Sequence, residues 1–182
     1  PTREMLQRLD KPQARIQERL VLINANKMSL ISGELYSFRR ELMHAFPIDT
    51  FGHHWTSKLS DRVKTLLGEV KIALSNLLRP QFSSIRLWWA RHPNIKGPVS
   101  DKLKTLEKYQ LAVVVENSTD YMSEKLFDAL VAGCLPIYVG PDPTSYGIPE
   151  HLVVRSDPNL TSFSAALVRA HAEAQQRPPV FA

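Results

Sequence analysis

The sequence predicts an α/β fold built on a doubly wound parallel sheet, and three observations predict it. Short β-branched runs such as "RLVLINAN", "LAVVVEN" and "LPIYVG" alternate with segments of helical periodicity. Those runs are apolar throughout rather than at every second position, as strands covered by helices on both faces must be. The links between successive elements are short, which suits a sheet whose neighbours are joined through helices.

In chain order, residues 1–18 read as a polar N-terminal extension, and Arg19–Asn26 as the first buried strand. After Gly33, the segment Glu34–Phe46 places Leu35, Phe38, Leu42, Met43 and Phe46 at helical spacing. Pro47 ends that helix, because the residue before a proline avoids helical geometry. Ile48–Gly52 is a short second strand. Residues 55–98 form a divergent, basic, mostly helical segment, with a helix over Lys58–Leu78 closed by Pro80 and then the aromatic "IRLWWARHP". Ser100–Gln110 reads as a helix capped by Ser100, and Leu111–Asn117 as a strand. Asp120–Gly133 is a helix with Asp120 as its N-cap, Leu135–Gly140 a strand and His151–Ser156 a fifth. Leu160–Gln176 is a last amphipathic helix with Thr161 or Ser162 near its start. Residues 19–176 make one domain and 177–182 a tail, with no internal repeat and no low-complexity tract.

Composition narrows the classes. Apolar residues at 43% and charged residues at 23% are those of an ordinary globular protein. A single cysteine, Cys134, excludes an internal disulfide and a Cys-rich zinc site, which suits a reducing compartment. No apolar run reaches the roughly 18 residues that span a bilayer. The opening "PTREMLQRLD" lacks the apolar core of a signal peptide. It also starts without Met, so a chain processed, or cut from something longer, is expected, with a natural stand-alone domain as the alternative. Charge is uneven: residues 1–100 hold 16 Lys/Arg against 8 Asp/Glu, and 101–182 hold 7 against 10, a balance of +8 and −3. No nucleic-acid-binding module accompanies the basic residues. "IRLWWARHP" is read as core or domain-contact tryptophans first, and as a peripheral membrane contact second. His53 and His54 are adjacent and point apart, so no metal site is expected from them.

The chemistry gathers after the strand Leu111–Val115. With Asp120 as N-cap, Tyr121, Glu124, Lys125 and Asp128 fall on one polar stripe, and Met122, Leu126, Ala129, Leu130 and Gly133 on the apolar one. Ligands of open α/β sheets bind at that strand end, beside the next helix N-terminus, whose N–H groups attract an anion. Lys125 offers an ammonium for a diphosphate, Glu124 a carboxylate for vicinal hydroxyls such as a ribose carries, and Asn117 and Ser118 short polar groups in the turn. The plainer alternative is a solvated helix face, with Glu124 and Asp128 as an i,i+4 carboxylate pair and Lys125 their partner.

"YQLAVVVENSTDYMSEKLFDALVAGCLPIYVGP" resembles the signature of the α-1,3-fucosyltransferases, glycosyltransferase family 10. In that family a Tyr and an apolar strand ending in Glu-Asn-Ser precede Asp-Tyr-x-(Thr/Ser)-Glu-Lys-Leu, and an Ala-Gly-x-(Val/Leu)-Pro strand and a Gly-Pro turn follow. The likeness runs more loosely over Arg19–Asp157, apart from Trp55–Lys96. It implies a Rossmann-like domain, the C-terminal donor half of a GT-B glycosyltransferase. That family transfers fucose with inversion from GDP-fucose to a glycan acceptor. By resemblance, Asn117 and Tyr121 lie beside the donor, Glu124 on the ribose and Lys125 on the diphosphate. An arginine of the first helix meets the phosphates, Arg39 before Arg40.

Inverting transfer needs the charge growing on departing GDP to be stabilised by fixed cations and N–H dipoles. Lys125, an arginine and a helix N-terminus supply that, with no cofactor and no metal implied. The absence of Asp-x-Asp agrees. The general base is expected outside this chain, in the acceptor domain it lacks; Glu116 is read as shaping the turn, and the chain alone as inactive for want of that half. The alternatives are a GT-B transferase using another nucleotide sugar, or a non-catalytic nucleotide-sugar-binding module. The expected place is the cytoplasm or the inner-membrane surface of a bacterium, or the Golgi in a eukaryote.

Overall fold

The computed structural model describes residues 15–30, 33–55, 59–75, 88 and 90–176. Among them six strands form one sheet: β1 (Ile16–Ile23), β2 (Ile48–Phe51), β3 (Ile95–Gly97), β4 (Tyr109–Val115), β5 (Leu135–Val139) and β6 (Val154–Arg155). Every pairing is parallel, in the order β3-β2-β1-β4-β5-β6. The described helices are α1 (Tyr36–Ala45), α2 (Leu59–Ser75), α3 (Lys102–Leu106), α4 (Glu124–Val131) and α5 (Leu160–Gln176), with 3-10 turns at Pro143–Tyr146 and Glu150–Leu152.

Strand residues divide their side chains between two apolar layers. Leu20, Leu22, Leu111, Val113, Val115, Ile137 and Val139 pack with Phe38 and Leu42 of α1 and Phe163, Ala166 and Ala170 of α5. On the opposite face Val21, Ala112, Val114 and Tyr138 pack with Leu106 of α3 and with Met122, Leu126 and Ala129 at α4. The sheet is therefore doubly wound, and the unbroken apolar runs are explained: each such strand is buried on both sides. A fully buried Leu or Val contributes about 1.5–3 kcal/mol, so these two layers are the main source of stability.

One buried carboxylate ties four strands together. Asp49 of β2 accepts from Arg19 of β1 at 2.6 Å and from the hydroxyl of Tyr109 of β4 at 3.0 Å. Lys96 of β3 approaches it at 3.4 Å.

Several boundaries differ from the sequence reading. β1 begins at Ile16, with Ile16 opposite Tyr109, so part of the expected extension is strand; residues 1–14 and 177–182 lie outside the described residues. The helix expected over Ser100–Gln110 is a single short turn, Lys102–Leu106, capped by Asp101, whose side chain accepts from the Lys104 amide at 3.0 Å. β4 therefore starts at Tyr109. β3 was not anticipated, being a three-residue edge strand inside the divergent segment. The helix expected over Lys58–Leu78 is present throughout its described part, Leu59–Ser75; residues 58 and 76–78 lie outside the described residues. Of His151–Ser156 only Val154–Arg155 is strand; the last helix starts at Leu160 with Thr161 and Ser162 in its first turn, as expected, and Asn159 accepts from the Ser162 amide at 2.8 Å. Trp88 is buried, as a core residue. No described helix is long and apolar enough to cross a membrane.

Candidate functional site

In the order β3-β2-β1-β4-β5-β6 the winding reverses between β1 and β4, and the crevice outside their C-terminal ends is where such sheets bind ligands. The connection after β1 crosses this crevice. The Leu35 amide donates to the Asn117 carbonyl at 3.1 Å, and Glu34 and Ser118 form an antiparallel bridge. Gly33, at φ +84°, makes the turn into that bridge.

The approach to α4 corrects the sequence reading. Asp120 is not the N-cap and Tyr121 is not helical. Tyr121 pairs with Ser118 in an isolated bridge, stands exposed, and precedes a helix that starts at Glu124 with Ser123 in the cap position. Ser123 makes no capping hydrogen bond to the first turn of α4. Its hydroxyl turns inward and donates to Glu116 Oε2 at 2.7 Å. The first turn of α4 thus lacks a cap from Ser123, although the Glu124 carboxylate accepts from its own backbone amide there.

Lys125 is not a solvated partner of Glu124 and Asp128. Its ammonium donates to Ser123 Oγ at 2.6 Å and to Glu116 Oε2 at 3.0 Å, with 17% of the side chain exposed. Burial lowers the ammonium's pKa, and the Glu116 carboxylate opposes that. The partner of the two helix carboxylates is Lys102 of α3, at 3.2 Å from Glu124 and 3.3 Å from Asp128. The Glu124 carboxyl sits below its ordinary range, first because it accepts from a backbone amide and then because of Lys102.

The two arginines of α1 are both buried and part company. Arg39 donates through Nε and Nη2 to the Val115 carbonyl, and through Nη2 to the Glu116 carbonyl at 2.6 Å and Asn117 Oδ1 at 2.9 Å. Its guanidinium lies 4.8 Å over the Tyr36 ring, and burial pushes its pKa down to about 10. Arg40 donates to Asn26 Oδ1 at 3.2 Å and to the Lys27 carbonyl, on the side of the β1 loop. Of the two, Arg39 stands at the end of β4.

Asn117, Ser118, Lys125 and Arg39 are thus gathered at one strand end, with Glu124 on the first turn of α4 and Tyr121 in the preceding turn. Sequence reasoning missed Lys102 and underrated Glu116, which is fully buried. A charged residue closing an apolar strand was the only signal for Glu116. Nothing local could have marked Lys102, whose partners are 22 and 26 positions away. Among the described residues no group of three His, Cys, Asp or Glu could hold a metal ion, and His53 and His54 are both exposed. Cys134 is buried, its thiol donating to backbone carbonyls and pushed up to about 12 by burial.

No family model matches the chain. A fucosyltransferase-like protein of Arabidopsis thaliana is 44% identical over 52 residues, which are 28% of this chain and 10% of that protein. The alpha-(1,3)-fucosyltransferase 4 of Mus musculus is 32% identical over 92 residues, 47% of this chain and 21% of that protein. A crystal structure of an alpha1,3-fucosyltransferase with GDP-fucose aligns with 90% of this chain and 39% of its own, at 14% identity and a TM-score of 0.47. The chain spans about a tenth to a fifth of the length of these curated relatives. Over these stretches the chain is similar to fucosyltransferases, an alpha-(1,3)-fucosyltransferase among them.

Proposed function

We propose that this chain supplies the donor site of a fucosyl-transferring glycosyltransferase, binding GDP-fucose as the C-terminal half of a two-domain GT-B enzyme. One observation carries the reading. In a chain similar to fucosyltransferases, Asn117 and Ser118 follow the end of β4 at the crevice between β1 and β4, and α4, which carries Lys125, begins there with no capping bond from Ser123.

Each group has a task in such a reaction. The N–H groups of the first turn of α4 and the Lys125 ammonium receive the diphosphate. Both stabilise charge that is larger on departing GDP than on bound donor, and only such a difference speeds the chemical step. Glu124, mostly exposed, exchanges Lys102 for the ribose hydroxyls. Tyr121 and Asn117 flank the donor. Arg39 acts behind them, holding Val115, Glu116 and Asn117 in place. Displacement at the anomeric carbon inverts it. The glycan acceptor and the base that takes its proton come from the other half.

Calorimetric titration with GDP-fucose, GDP-mannose, GDP and UDP-glucose tests the reading. The GDP compounds are expected to bind, with GDP-fucose ahead of GDP-mannose, and UDP-glucose is not. Glu124→Ala, at an exposed position, is expected to weaken binding by about 1.5 kcal/mol or more, as for a hydrogen bond to a charged group. Failure of every nucleotide to bind the folded chain would overturn the proposal.

A further inference from the structure

A closed group of polar side chains lies at the start of α4. Glu116 follows the last residue of β4, is fully buried, and turns one carboxylate oxygen to both Ser123 and Lys125. Ser123 in turn accepts from Lys125, so the three groups close a ring of hydrogen bonds at 2.7, 3.0 and 2.6 Å. Fitting the carboxylate there requires a glycine opposite. A Cβ on Gly140 would lie 2.8 Å from Glu116 Cγ and 2.6 Å from Tyr138 Oη. The end of β5 thus has room for Glu116 because residue 140, which follows the strand, has no side chain.

We infer that Glu116, acting with Ser123, is the positioning residue of Lys125: the pair keeps the ammonium charged and aimed at the mouth of the anion site. This rests on the donor-site reading for its purpose, but not for its observation. A lysine with 17% of its side chain exposed loses hydration that would favour its charged form, and a buried lysine readily gives up its proton. A neutral amine would do little for a diphosphate. Glu116 supplies the fixed counter-charge that opposes this loss. The other charged groups facing the ammonium are Arg39 from α1, which disfavours its charge, and Glu124 of α4, which favours it. Facing Glu116 are Arg39, Lys125 and the phenol of Tyr138, which burial and that carboxylate keep protonated.

The test is an NMR pH titration of the Lys125 side chain in the ligand-free chain, its signal assigned by its loss in Lys125→Met. In Glu116→Gln, which keeps the shape and removes the charge, the midpoint is expected to fall by about 1 pH unit or more, the usual effect of losing a close opposite charge. In Ser123→Ala a smaller fall is expected. Should Glu116→Gln not fold, Ser123→Ala decides alone. A Glu116 that merely supports the fold would lower the melting temperature and leave the midpoint unmoved, and an unmoved midpoint in the folded variants overturns the inference. Adding GDP to the wild-type chain is the separate arm. If GDP leaves the Lys125 signal unchanged, the donor-site reading fails while the free-chain titration still judges Glu116.

Discussion

Arg39 precedes Val115 by 76 positions, yet its guanidinium donates twice to that residue's carbonyl, at 3.2 and 2.8 Å. A side chain of α1 therefore fixes the end of the central strand that carries the candidate site. Planar, forked guanidinium geometry is what lets one residue serve Val115, Glu116 and Asn117 together.

Arg39→Met should consequently destabilise the fold by about 3 kcal/mol or more, because it leaves buried acceptors without a donor. Arg39→Lys should recover less than half of that, since a single ammonium cannot span three acceptors. Urea unfolding measures both. Unchanged stability in Arg39→Met would remove its role as a latch and return it to the phosphate-binding candidates.

Two lysines that look alike in the sequence should behave unlike each other. Lys125→Met strands the buried Glu116 carboxylate and is expected to cost about 3–5 kcal/mol, most of it regained in the Lys125→Met, Glu116→Gln double variant. Lys102→Met removes only exposed ion pairs, so its effect should stay below about 1 kcal/mol and shrink as salt rises. Denaturant midpoints at low and high salt compare the two directly.

Gly140→Ala should destabilise by about 1–3 kcal/mol through overpacking against Tyr138 and Glu116. The Tyr138 hydroxyl is buried and has no hydrogen-bond partner among the described residues. Tyr138→Phe alone should therefore be neutral or slightly stabilising, and it should relieve part of the Gly140→Ala defect by removing the nearer obstructing atom. Thermal melts of the two single variants and the double complete the cycle. Additive effects would mean that the hydroxyl is not the obstruction, which would then lie with Glu116 Cγ and the Tyr138 ring carbon Cζ, each 2.8 Å from the added Cβ.

Acid should loosen the sheet at Asp49. Burial pushes its carboxyl up, but the bonds from Arg19 and Tyr109 and the charge of Lys96 outweigh this and hold it below its ordinary value of 3.8. A depressed folded-state pKa means the contribution is complete above the unfolded value and is lost as pH falls through the folded one. The stability difference between wild type and Asp49→Asn should thus be constant above about pH 5 and fade as pH drops below about 4. A difference independent of pH between 7 and 3 would contradict this account.

The legible parts of the fold were those set by local pattern. Leu111–Val115 and Leu135–Val139 are apolar at every position because helices cover both faces, and α5 keeps Phe163, Ala166 and Ala170 on one side. The site's location after β4 was readable for the same reason, together with the motif. What could not be read depended on distant partners. Asp120 looks the better helix cap than Ser123, but the Ser118–Tyr121 bridge keeps that turn out of the helix and Glu116 draws the Ser123 hydroxyl inward. Asp49 in a four-residue strand reads as a surface residue until Arg19, Tyr109 and Lys96 converge on it. Nothing in "SDKLKTLEK" announces that Lys102 will meet Glu124.

The pairing of β1 with β4 has a consequence for how the protein comes into being. Leu20 lies opposite Leu111 and Val21 opposite Ala112, so the seam at the middle of the sheet joins residues from opposite halves of the chain. During synthesis, β1 waits for that partner until 91 more residues, from Leu20 to Leu111, have been made. Its buried face, Leu20 and Leu22 included, is meanwhile open to water and to other nascent chains. Such non-local closure makes folding slow and leaves the early chain prone to aggregation. A holding chaperone during translation, or a lower growth temperature, should therefore raise the soluble yield more than any change at the mature surface.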